Sequence, residues 1–561
     1  MAQQGGDAAQ EYSLRDAYEQ WALSHAQVPP IPQQMRPPRE PEGLRVGIVG
    51  AGMAGLYAAL LLQKRGAQVT VLESEFTRVG GRILTHRFTD DADQYYEAGA
   101  MRLPELAEHK PVFDLIKHLN KHSAAADKIE LIDYVISDPS GNRVLVNDTR
   151  DNTGKVMTLA YANAHPGELG FGLPGEPTTA AAMLEKVIRP FADLLKKDFK
   201  KGFEAIVQFD NFSFYGYLTT VCGWSPQMVN YVEVMTSQTN QFQASFPEIV
   251  IESIDFGEPK WKTVKDGMDR LPKACADLVG RSNIVMGARV RALFDLKDGT
   301  VCVDYVDADD VDRSMVFDKV IAAVPPAVLR MWRTPRWSPA KEQAVRAMNY
   351  QPLYKIGLRF RERFWEKGDA QKGYAPVKGG QSITDLPSRW VVYPSNGIGS
   401  AGAGVLLHYA WMTDAYTWLP QSPQERIRLA LRDLQALHPE ADVESLFLQA
   451  HDVAWANRWA AGDAKFLPGQ FREMFAAGRA PERNIHFAGE HLSVHHTWIV
   501  GALDSAKTAC EQILGGPIGF IGPSASGRAP RRGLGVDYTW THGITPVEIT
   551  GDADLTRAVV T

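Results

Sequence analysis

Cysteine is scarce. The four present, Cys222, Cys275, Cys302 and Cys510, are scattered without a C-x-x-C pair. That spacing argues against a disulfide framework and against a zinc site, so no metal is expected. No uninterrupted apolar run approaches the roughly 20 residues that a membrane span needs. The opening stretch, MAQQGGDAAQEY, lacks the basic-then-apolar pattern of a secretory leader, so a cytoplasmic protein is expected. Excess charge is also missing. A formal net charge of −6 gives no reason to expect nucleic acid or an anionic membrane as partner. Internal repeats and low-complexity tracts are absent too. What remains is an ordinary globular composition, 45% hydrophobic and 22% charged, over 561 residues. That length has room for about two to four domains.

The chain is organised around Leu44 to Ser74, LRVGIVGAGMAGLYAALLLQKRGAQVTVLES. Val46 to Val49 reads as a buried parallel strand. Gly50, Gly52 and Gly55 follow in G-x-G-x-x-G spacing, then a helical run from Met53 to Arg65 closed by Gly66. A second strand, Gln68 to Leu72, ends on Glu73. Gly50 permits the tight turn, Gly52 lets backbone approach a pyrophosphate, and Gly55 lets the helix pack close to the strand. The helix N-terminus meets phosphate with free N–H groups and a partial positive charge. Glu73 lies 21 residues after Gly52, where a carboxylate accepts both ribose hydroxyls. An acid there disfavours a 2′-phosphate, which leaves FAD or NAD.

Elsewhere the reading is coarser. Residues 11–26 fit a short amphipathic helix, and six prolines between Val28 and Pro41 make an extended arm. Arg78-Val79-Gly80-Gly81-Arg82 suggests a turn that brings guanidinium groups to phosphate. Residues 110–250 are largely helical in pattern. Trp261 to Pro272 reads as the opening of a helix, Asn283 to Asp304 as paired strands, and Val316 to Val324 as one strand. Strands follow at Lys355 to Phe360, Ser388 to Tyr393 and Val405 to Trp411. Pro423 to His438 is a helix, Asn484 to Glu490 a strand, and Gly501 to Leu514 a helix. The final stretch is a Gly/Pro/Arg-rich tail.

The motifs VGIVGAGMAGL, RVGGR, EAGAMRLPE, DGMDRLP, GARV, YKIGL, FAGEH and HTWIVGALDSA occur in this order. Together they resemble the flavin-dependent amine oxidases, and within them the L-amino acid oxidase branch of fungal and bacterial type. The resemblance covers residues 40–515. It implies an α/β fold: a glutathione-reductase-type FAD-binding Rossmann domain with a mixed-sheet substrate domain and a helical insertion. The expected division is an arm at 1–41 and a discontinuous FAD domain at 42–105, 262–335 and 480–515. A helical domain at 106–261, a substrate domain at 336–479 and a tail at 516–561 complete it. FAD is the implied cofactor, bound without a covalent link because no cysteine lies in the C-terminal flavin motif.

Carried over by resemblance, the FAD neighbours are Gly50, Gly52, Met53, Ala54, Gly55, Glu73, Ser74, Gly81, Arg82, Gly99, Ala100, Met101 and Arg102. Val290 holds the adenine through its backbone, and Glu490, Trp498 and Ile499 contact the ribityl chain and the pyrimidine. Arg102 pairs with a substrate carboxylate and Tyr393 adds a phenol hydrogen bond. Trp498, with Trp455 or Trp459, walls the substrate. Lys355 holds a water near flavin N5 and promotes the reaction with oxygen. The competing readings are an Arg102 ion pair with Glu97 or Glu105, a core tyrosine at 393, and a lysine on the solvent face of an edge strand at 355. The resemblance also shows departures. Animal and venom enzymes carry an acid where Val500 stands, and a glycine where Thr497 stands; the carbonyl at that position receives the substrate amine. His495 and His496 read as solvated loop histidines.

The implied reaction is oxidative deamination of an L-amino acid by hydride transfer from Cα to flavin N5, with oxygen as acceptor. The products are a 2-oxo acid, ammonia and hydrogen peroxide. An amino-acid 2-monooxygenase or a related amine oxidase shares these motifs. Apolar and aromatic residues between Phe203 and Phe246 favour a range of substrates that includes large apolar side chains. A homodimer or higher homo-oligomer is expected.

Overall fold

A computed structural model describes residues 43–522 apart from 175–177, 239, 258–259 and 457–461. The helix expected over 11–26, the proline arm, Trp459 and the tail beyond 522 lie outside the described residues.

The glycine-rich stretch folds as its spacing predicts, into β1 (Arg45–Val49), α1 (Met53–Gln63) and β2 (Gln68–Leu72). Three later strands join them: β3 (Ile284–Val285), β4 (Lys319–Ala322) and β5 (Ile485–Phe487). Their order is β3-β2-β1-β4-β5, with every neighbouring pair parallel. Val46, Ile48, Val71, Val320, Ile321 and Ile485 are fully buried. Burial on both faces explains why these strands read as continuous apolar runs and not as alternations. The order reverses direction at β1, and in such sheets ligands bind at that crevice.

Further on, a seven-stranded sheet runs in the order 447–455, 353–360, 404–411, 390–392, 381–384, 143–145, 157–158. Its period of two is clean. Tyr354, Ile356, Val391 and Tyr393 face a core shared with the helix Pro423–Leu437. Leu353, Trp390, Trp411 and Trp455 point the other way and cluster together.

The segment between the sheets is mainly helical, with α2 (Lys110–His122), α3 (Ala180–Lys197) and α4 (Phe246–Asp255). Hydroxyl caps begin two of these helices: Thr179 accepts from the Ala182 N–H, and Ser245 from the Glu248 N–H. The last described helix, α5 (Ile499–Leu514), packs against α1. No helix among the described residues is long and apolar enough to cross a membrane.

Two element expectations fail. Trp261–Val264 is a strand paired with Leu103–Pro104 and Leu131–Asp133, and the helix begins only at Arg270. Asp266 and Gly267, both at positive φ, form the break, and Thr263 and Val264 suit the pleat. The single strand expected over 316–324 is split between Asp312–Phe317 and β4, which belong to different sheets.

Candidate active site

The glycine turn shapes one end of the site. A Cβ on Gly55 would lie 1.9 Å from the Gly50 carbonyl oxygen, and one on Gly50 would lie 2.7 Å from that of Ala323. A Cβ on Gly52 would meet nothing. Gly52 therefore faces open space, at the N-cap of a helix whose first turn has no side-chain cap. Unpaired N–H groups and a positive helix end converge there, as a pyrophosphate requires. Glu73 stands at the end of β2. Its carboxylate accepts from the Ala51 N–H at 2.7 Å and the Glu75 N–H at 2.9 Å. Burial raises its pKa, and these donors act against that.

A cavity of about 980 Å³ runs from this turn to the seven-stranded sheet. Gly50, Gly52, Met53, Ala54, Glu73, Ser74 and Val290 line its nucleotide end. Gly81, Arg82, Gly99, Ala100, Met101, Glu490 and Ile499 line its middle. Gly55 lies behind the turn, where its close approach to Gly50 is spent on packing. An extended dinucleotide fits this set. The cradle at Gly52 would take phosphate, and Glu73 would take a ribose.

The two arginines of the Gly80-Gly81 turn also border the cavity, and each is tied down. Arg78 bonds Glu75 and the Gly81 carbonyl. Arg82 donates to Glu490 at 2.8 Å and to the Gly462 carbonyl at 2.9 Å. Burial alone would raise the Glu490 pKa. The Arg82 charge, nearby histidines and the Thr497 N–H outweigh it and hold the carboxyl near 2.

At the far end Arg102 lines the cavity. Its guanidinium carbon sits 5.2 Å from the Phe256 ring centre and 5.4 Å from that of Trp261. Its Nη1 is buried without a hydrogen-bond partner. Neither acid of the competing reading pairs with it among the described residues. Glu97 instead accepts from the Thr85 hydroxyl and the Met268 N–H, both at 2.8 Å.

Lys355 is 2% exposed. Its ammonium donates to the Gly99 carbonyl at 2.6 Å and the Glu97 carbonyl at 3.2 Å, and lies 4.5 Å from the Tyr409 ring centre. Burial lowers its pKa to about 7, with Glu97 pulling the other way. Trp455 Nε1 donates to the Ala98 carbonyl at 2.6 Å. Trp498 lines the cavity with Thr497. Thr497 has φ 72°, a left-handed conformation in which glycine would be at ease.

Three expectations are corrected. Tyr393 does not reach the cavity. It is fully buried on the opposite face of its strand, and its hydroxyl bonds His438 Nε2 at 2.7 Å and Ser382 Oγ at 3.0 Å. Burial pushes its pKa up to about 12. Trp390, three residues earlier, lines the cavity instead, with Tyr409 and Trp411. His495 and His496 are not solvated: they are 6% and 4% exposed, and His496 Nδ1 lies 2.8 Å from Glu248. The aromatics between Phe203 and Phe246 do not wall the cavity either. Phe203, Phe214 and Phe246 fill a core, and that stretch lends the cavity Ser237, Gln238 and Gln241, while Leu184 and Ile188 of α3 and Phe256 just after α4 supply apolar wall. Sequence reasoning missed Asp463, another cavity residue, whose carboxyl burial raises to about 7.

Residues 53–514 match the family model described as flavin containing amine oxidoreductase. A provisionally named bifunctional amine oxidase of Dictyostelium discoideum is 34% identical over 499 residues, 84% of this chain. The match spans only 46% of that longer protein. An L-amino-acid oxidase of Crotalus adamanteus is 30% identical, over 84% of this chain and 86% of its own length. L-amino-acid oxidase 4 of Hebeloma cylindrosporum is 29% identical, over 85% and 83%. Among solved structures, cyclohexylamine oxidase from Brevibacterium oxydans superposes with a TM-score of 0.64 at 19% identity, over 84% of this chain and 99% of that one.

Proposed function

Because this chain belongs to the flavin-containing amine oxidoreductases, we propose that it is an oxidase of L-amino acids, yielding a 2-oxo acid, ammonia and hydrogen peroxide. FAD is its cofactor, and Gly52, Met53, Glu73, Val290 and Glu490 are the residues that would hold it. The binding is non-covalent in this reading: none of the four cysteines is among the residues bordering the cavity. When bound, FAD supplies a two-electron acceptor that is turned over by oxygen.

The observation that carries the substrate assignment is the buried, unpartnered Nη1 of Arg102. A planar guanidinium in a dry, aromatic-walled space is the best single partner for a carboxylate. Docking there fixes the substrate between Trp455 and Trp498, with the amine toward the Thr497 carbonyl. Positioning supplies most of the effect, since no proton needs to leave Cα to a side-chain base. Lys355 donates to the carbonyls of Gly99 and Glu97 and, at 3.8 Å, to the Met101 sulfur, and that weak sulfur contact is the one a water would displace. Simple amines are the second reading, favoured by the name of the Dictyostelium relative. They leave Arg102 unused.

Peroxide release across the twenty L-amino acids, several D-forms and the matching amines tests this. Release with L-amino acids is expected. Turnover of amines alone would overturn the reading.

A further inference from the structure

Behind Trp498, outside the residues that line the cavity, three side chains from distant segments meet. His109 precedes α2, Asp255 ends α4, and His495 lies in the loop before α5. His109 Nε2 stands 2.9 Å from Asp255 Oδ1, and His495 Nδ1 stands 3.6 Å from the same oxygen. The three candidate ligand atoms all lie within 4.8 Å of one another. Their side chains are 2%, 4% and 7% exposed.

A plain hydrogen-bonded triad accounts for only part of this. The His109–Asp255 pair is satisfied, but His495 Nδ1 is buried with no hydrogen-bond partner. Its ion-pair contact to Asp255 at 3.6 Å is too long for a hydrogen bond, and a bound cation would fill the place between them. Two imidazoles and a carboxylate make a donor set suited to Zn²⁺. Tetrahedral bonds of about 2.0–2.1 Å set neighbouring ligand atoms about 3.3 Å apart. The two contacts to Asp255 Oδ1, at 2.9 and 3.6 Å, bracket that spacing. Beside Asp255 lies a small cavity of about 10 Å³, bordered also by Glu248 and His496. It has room for roughly one water.

We propose that His109, Asp255 and His495 form a structural site for a divalent cation of the zinc type, with a water as fourth ligand. The cation would tie α4 and the segment before α2 to the loop before α5. Those pieces frame Trp498, whose ring meets His109 edge-on at 5.1 Å. The role is to position Trp498, not to take part in the chemistry. Cysteine spacing gave no hint of it, because the ligands are histidine and aspartate at positions 109, 255 and 495.

The test uses flavin-loaded protein dialysed against a chelator, then titrated with Zn²⁺ in competition with a chromogenic chelator. One equivalent should bind per chain, raising the thermal midpoint. His495→Gln and Asp255→Asn should each weaken uptake at least about tenfold and abolish the thermal shift, with flavin absorbance reporting that each is folded. A parent that takes up no such equivalent overturns the proposal, as does unchanged uptake in the folded variants. Should the variants lose their flavin, zinc-edge X-ray absorption on the parent decides. Two imidazole nitrogens and oxygen support the site, and any other first shell refutes it.

Discussion

Arg102 stands in a stretch whose other members are small or apolar, and that contrast is what made it legible. Its neighbours Gly99, Ala100 and Met101 bring backbone to the cavity wall, while Phe256 and Trp261 deny the guanidinium water. Replacing it by methionine should remove about 2–5 kcal/mol of substrate interaction, or roughly 30- to several-thousand-fold in kcat/KM on L-amino acids. Arg102→Lys, which keeps the charge and loses the fork, should fall between. Flavin content should be unchanged, and any activity on the matching amines should change little. Lys355 yields a pH prediction. Its pKa is lowered to about 7, so the cation dominates below that value and the neutral amine above it. If the cation assists the reaction with oxygen, stopped-flow reoxidation should slow as pH rises through about 7. Lys355→Met should be slower at low pH and flat across the range. A parent profile without that fall would detach Lys355 from the oxygen step. The lysine was legible as an oddity in an apolar strand. Its depressed pKa was not, because burial causes it, and the chain that covers the ammonium comes from 97 to 101.

A strand decides by parity which side chains see the substrate. Trp390 and Tyr393 differ by three positions, so they must face opposite ways. The motif resemblance put Tyr393 at the substrate, and the period of two in Val391-Val392-Tyr393 could have warned against it. Tyr393→Phe should therefore leave KM for the substrate alone and lower stability by about 1–3 kcal/mol, since His438 Nε2 and Ser382 Oγ lose the hydroxyl they bond. Trp390→Ala should raise KM as well as lower stability, since it empties a place among Leu353, Trp411 and Trp455. Denaturant melts beside initial-rate curves separate the two. The glycine turn was far easier to read, because each glycine answers a different contact. Gly55→Ala places a methyl against the Gly50 carbonyl and must push α1 off β1. Purified protein should then carry much less flavin at the same yield. The Trp261 strand was misread because its neighbours Leu103–Pro104 and Leu131–Asp133 supply the pairing, and nothing local announces them.

Taken whole, the chain ties its helical part to later segments through buried ion pairs. His496 meets Glu248, and Lys465 meets Glu252 at 2.5 Å. Burial lowers the His496 pKa, but Glu248 outweighs it and the net shift is upward. A raised folded-state pKa stabilises fully below the unfolded value near 6.5, and that contribution is lost as pH rises through the folded value. Thermal midpoints of the parent relative to His496→Gln should thus converge on the alkaline side. A gap that widens with pH would reverse the assignment. None of these pairings was legible, since each joins residues more than two hundred positions apart. The five-stranded sheet has the same character, and it sets a schedule for synthesis. β1 and β2 leave the ribosome early, but β1 gains β4 only near residue 319, and β4 gains β5 only at 485. At about 5–20 residues per second, the first βαβ unit waits roughly 20 to 90 s for the last strand. Until β4 arrives one edge of β1 is unpaired, and from then until β5 the open edge is that of β4, an invitation to chaperones or to neighbouring nascent chains. A ribosome-stalled chain ending at 480 should accordingly hold no flavin, and the yellow colour should arrive only once α5 has emerged.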